Sequence, residues 1–126
     1  MIINQDSIDN IEGAILDFLV GKALGFTVKV AYVNDISSCM LGEQTYTPSN
    51  DLDYVSRQLI PHLVVTEGTQ VITVYTQKFI ESSIKCAENI NFFGYGSGLE
   101  DSLCRAFVLF KYNDIDVEIE RTNTIH

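Results

Sequence analysis

The chain has 126 residues, 46% of them apolar, and carries eight Lys and Arg against seventeen Asp and Glu, a net charge of −9. That length supports one domain around one core, and the composition is globular rather than disordered. Long nucleic acids are held by neutralising their phosphates, so a general DNA or RNA binder is disfavoured, whereas a small ligand with a few phosphates needs only two or three cations in one pocket.

Ser7–Leu24 reads as the first helix, with Asp6 or Ser7 as its cap, Ile8, Ile11, Ile15, Phe18 and Leu19 on one apolar face, and Gly25 as its stop. Phe26–Asn34 reads as a strand, because Val28, Val30 and Tyr32 alternate with Thr27, Lys29 and Ala31. Asp35–Thr47 reads as a loop with room for a short strand near Cys39–Leu41. Pro48–Asp51 is a turn into a second helix from Leu52 to about Ile60, where Pro61 ends it. His62–Thr66 and Gln70–Thr76 read as strands joined by Glu67-Gly68-Thr69. Phe79–Glu88 fits either a short helix or an extension of the preceding strand.

Gly98–Tyr112 is the clearest helix, since Leu99, Leu103, Ala106, Phe107 and Phe110 form a wide apolar stripe. Asp114–Glu120 alternates Ile115, Val117 and Ile119 with acids and reads as an edge strand guarded by charge. Residues 116–126 read as an extension, frayed at Thr122–His126. The order implies an α+β fold: a single α-β-α sandwich domain over residues 1–126, with an antiparallel β-sheet packed between helices.

No apolar run approaches the roughly 18 residues of a membrane-spanning helix, and Met1–Asn10 has no basic segment ahead of an apolar one. The expected location is therefore the cytoplasm, with no membrane partner. Cys39, Cys86 and Cys104 show no CxxC spacing and have only His62 and His126 beside them, so no metal site is expected. There is no serine elbow, no paired His ligand set and no cysteine in an electropositive setting. Neither a catalytic residue nor a cofactor is expected, and a binding module is favoured over an enzyme.

The stretch NFFGYGSGLEDSLCRAFVLF, Asn91–Phe110, holds most of the candidate chemistry. Glycines at 94, 96 and 98 ahead of a helix either cradle phosphate or form a flexible turn with Ser97 as cap. Glu100 and Asp101 already occupy the positive end of that helix and weaken the first reading. Phe92 and Phe93 either stack a base or pack into the core, and Asn91 has the donor and acceptor to read adenine's edge. Arg105 either holds a phosphate with its planar fork or forms a surface ion pair. Arg57 stands in a similar position on the second helix; Lys29, Lys78 and Lys85 are weaker candidates.

Three stretches together resemble the phage ABA-sandwich domain proteins: LDFLVGKALGF (Leu16–Phe26), YTPSNDLDYVSRQLI (Tyr46–Ile60) and LEDSLCRAFVLFKY (Leu99–Tyr112). The departures are Phe26 where that family has Trp, Asn50 where it has Thr, and a longer acidic C-terminal part. Within the family the chain is similar to the Thoeris anti-defence sponges of the first type. The resemblance implies a phage product in the infected bacterial cell that sequesters glyco-cyclic ADP-ribose, or cyclic oligonucleotides, without cleaving it. It also implies a homo-oligomer, a dimer or larger. The family motif covers Arg105 directly and Arg57 by position. Phe92, Phe93 and Asn91 complete the expected ligand site on physical grounds alone. The alternative is an acidic accessory protein that binds and blocks a host protein.

Overall fold

The computed structural model describes residues 1–122, so the tail expected at Thr122–His126 falls outside the described residues from position 123 onward. The fold is α+β, with helices packed against antiparallel sheets in a layered sandwich. β1 (Ile2–Ile3) leads into the short helix α1 (Gln5–Ile8), which is followed by α2 (Gly13–Ala23). The first helix is thus two pieces rather than one. Asn4, not Asp6 or Ser7, caps α1: its Oδ1 accepts from Ser7 N at 2.9 Å, while Asn4 N donates to Ser7 Oγ at 3.0 Å. The break falls where Glu12 is extended and Gly13 takes φ +60°, a left-handed conformation that favours glycine.

α2 lies on a sheet of order β4-β3-β2-β9, built from β2 (Val28–Val33), β3 (Ile36–Leu41), β4 (Gln44–Thr45) and β9 (Arg121–Thr122). β9 runs parallel to β2 and the other pairs are antiparallel. The short strand expected near Cys39–Leu41 is the second half of β3, which starts earlier, at Ile36, where only loop was expected. Asn34 and Asp35 both have positive φ, 53° and 64°, and form the two-residue turn that pairs Val33 with Ile36. The segment expected as one edge strand over Asp114–Glu120 supplies β8 (Ile115–Asp116), which pairs with β1, and leads to β9. Val117 between them is buried, at 4% exposure.

After a 3-10 turn at Pro48–Asn50, α3 (Leu52–Tyr54) is capped by Asp51 Oδ1, which accepts from Tyr54 N at 3.0 Å. Helical structure then continues as wider π turns over Val55–Leu59 and His62–Thr66. Pro61 therefore does not end the helix, and His62–Thr66 is not a strand. A proline lacks the N–H that the helix would use and crowds the carbonyl four residues back; the wide turns on either side relieve both problems. Val55, Leu59 and Leu63 stay fully buried along this path, which rewards its continuation.

β5 (Gln70–Tyr75), β6 (Ile80–Ala87) and β7 (Ile90–Gly96) form the second sheet in that order, all antiparallel. The ambiguous Phe79–Glu88 segment is a strand. β7 also takes in Gly94 and Gly96, the first two glycines of the loop expected ahead of α4. α4 (Leu99–Tyr112) packs on β6 and β7, α2 packs on β2 and β3, and the two helices pack on each other. Every residue of α4 from Ser102 to Leu109 is buried, so this helix is central. Gly94 explains how closely it sits: a Cβ there would collide with the backbone at Ser102 O and Ala106 N.

Candidate functional site

Arg105 sits on α4 with only 7% of its surface exposed. Its Nε donates to Ile11 O at 3.0 Å, and its Nη1 donates to Tyr95 O at 2.7 Å and to Asp101 Oδ2 at 3.1 Å. These bonds tie α4 to the edge of β7 and to the link between α1 and α2. Among the described residues, Nη2 has no acceptor. Asp101 is held in turn by three backbone donors: Ser97 N, Gly98 N and Ser102 N. It reaches back to cap α4, the role expected of Ser97.

Arg105 lines a cleft of about 410 Å3 together with the N-terminal end of α2, β3 and the Pro48–Asn50 turn. Glu12 and Gly13 mark the start of α2, and the Glu12 side chain makes no capping bond there. The amino end of an eleven-residue helix and a guanidinium thus line the same cleft, two positive features. Hydroxyl-bearing residues line the cleft as well: Ser37, Ser38, Thr47 and Ser49. Three carboxylates line the cleft too: Glu12, Asp17 and Asp101. The lining therefore sets one guanidinium, already paired with Asp101, against three carboxylates, and much of the cleft suits donors such as sugar hydroxyls.

Asp17 is the feature of this cleft that sequence reasoning missed. It is 5% exposed, and its Oδ1 accepts from Ser49 N at 2.7 Å, pinning the Pro48–Asn50 turn to α2. Burial pushes its carboxyl up to about 6, against the pull of its hydrogen bonds to Ser49. The signal was present in Leu16-Asp17-Phe18-Leu19, an acid inside an apolar run. Cys39 also lines the cleft. Burial, with the Asp17 charge second, pushes its thiol up to about 12, so at neutral pH it is no nucleophile.

The remaining expected site residues lie elsewhere. Arg57 forms an exposed ion pair with Asp53, Nε to Oδ1 at 2.8 Å, with both side chains about three-quarters exposed. Phe92 packs edge-on against Phe110 at 5.8 Å on the face of β7 that meets α4. Phe93 projects from the other face, opposite Ser83, and its carbonyl accepts from Gln5 Nε2 at 3.0 Å. Asn91 is exposed on that same outer face, opposite Lys85. Strand alternation separates Phe92 from Asn91 and Phe93, so the three cannot form one base-reading shelf. Of the five, the structure brings Arg105 alone to the cleft.

No helix among the described residues is long and apolar enough to cross a membrane. Compared with known protein families and with curated proteins, the chain matches no family model and no curated protein.

Proposed function

We propose that this protein is a non-catalytic binder of a small ligand carrying both ribose and phosphate, a cyclic nucleotide signal of the glyco-cyclic ADP-ribose type, which it sequesters intact. The observation that carries this reading is a buried Arg105 that lines one cleft together with the start of α2 and the hydroxyls of Ser37, Ser38, Thr47 and Ser49. A phosphate accepts from the guanidinium and from the first N–H groups of the helix. Ribose hydroxyls donate to Asp17 or Glu12 and exchange bonds with the serines. The cleft volume lies within the range of pockets that take small molecules. Sequestration without cleavage is part of the proposal, and recovery of the ligand unchanged is its test. Assembly into a homo-oligomer belongs to the same reading.

Titration calorimetry with glyco-cyclic ADP-ribose tests this. The expected result is saturable binding, with the ligand recovered unchanged. Arg105→Lys keeps the charge but loses the fork, and weakens binding by more than about tenfold. Absence of heat at tens of micromolar, or a ligand returned cleaved, removes the proposal.

A further inference from the structure

The two free edges of the β5-β6-β7 sheet are treated in opposite ways. The edge of β7 is closed by side chains: Gln5 Nε2 donates to Phe93 O, Asp9 Oδ1 accepts from Tyr95 N, and Arg105 Nη1 donates to Tyr95 O. Among the described residues nothing bonds to the outer edge of β5. That strand reads Gln-Val-Ile-Thr-Val-Tyr, with no charge, no proline and no glycine. Its exposed side chains are large, Ile72 (43%) and Val74 (46%) on the outer face and Tyr75 (68%) on the other. Edge strands ordinarily carry a charge, a proline or a bulge that blocks pairing, and β5 has none of these.

We infer that β5 is a self-association seam, at which a second copy of this chain pairs antiparallel with it to make one continuous six-stranded sheet. Two arguments select a second copy as occupant. The first is symmetry. An antiparallel pair about a two-fold axis at Thr73 sets Ile72 of one copy opposite Val74 of the other, and Val71 opposite Tyr75. The apolar side chains then meet on matching faces without a gap. The second is charge. Two chains of net charge −9 repel wherever their acids meet. Here the nearest charged side chains in the sheet, Glu81 and Lys85, stand one strand back on β6. The two β6 strands would be roughly 14 Å apart, beyond a Debye length of about 8 Å. The neutral seam is where such acidic copies can touch. The inference does not depend on the ligand.

Sedimentation velocity on the whole chain, from about 1 to 200 µM, reads the outcome, since an interface of six residues a side is small and a micromolar dimer is expected. Wild type should shift from monomer to dimer across that range. Val74→Lys and Ile72→Lys, both at exposed positions, should stay monomeric with unchanged circular dichroism. In a Cys86→Ser background, Ile72→Cys mixed with Val74→Cys should cross-link on oxidation, and either alone should not. A wild type that stays monomeric throughout, or a dimer that survives both lysine variants, overturns the proposal.

Discussion

Arg105 and Arg57 share one local pattern, an aspartate four residues earlier on a helix, and the fold gives them opposite lives. Asp53–Arg57 is a solvated pair on an outer face, with side chains 74% and 76% exposed. Asp101–Arg105 is 19% and 8% exposed, and its guanidinium also serves two carbonyls from other elements. The lesson is that a short charge motif specifies a pair but not its worth, which depends on what else the helix buries. α4 is covered on all sides, while the Arg57 turn shows one side to water.

Three measurements would break or sharpen that contrast. The largest effect is expected for Arg105→Ala, which leaves Ile11 O, Tyr95 O and the Asp101 carboxylate without their partner. Urea unfolding should show a loss of about 3–5 kcal/mol; a loss under about 1 kcal/mol would make Arg105 energetically equivalent to Arg57.

Next comes Asp17, the other buried charge of the cleft. Its folded value of about 6 stands above the usual 3.8. Its contribution is therefore fully present below pH ~4 and lost as pH rises through about 6, a fall of up to about 3 kcal/mol. Asp17→Asn keeps an acceptor for Ser49 N and should flatten stability across that window; an unchanged pH profile would show that Asp17 titrates normally. The smallest effect belongs to Arg57→Ala, at under about 0.5 kcal/mol and with no change in ligand affinity.

What the sequence revealed depended on how far each element's signal is local. α4 was legible because its stripe repeats over four turns, and Arg105 because it is the lone cation there before Lys111. β3 was legible only at its Cys39–Leu41 end, since Ile-Ser-Ser-Cys-Met-Leu turns a single buried side chain, Cys39, to the core, and the signal for its start is the Asn34-Asp35 turn ahead of it. The helix through Pro61 was hidden by a residue that usually stops one. Asn91–Gly96 looked like a ligand loop because its glycines were read as flexibility. Gly94 instead lets a helix backbone lie against the strand, a demand set by α4 and invisible within the stretch itself. The cleft was half legible for the same reason: Asp17 and Ser49 are 32 residues apart, and only packing joins them.

The bond from Arg105 Nε to Ile11 O spans 94 residues of sequence, and this sets an order of events. A chain grows from its N-terminus, so α2 is made long before the guanidinium that completes its amino end. Until α4 emerges, Ile11 O and the start of α2 have only water for company. The cleft is therefore among the last parts of the molecule to mature, and a nascent chain stopped before Arg105 has no way to form it.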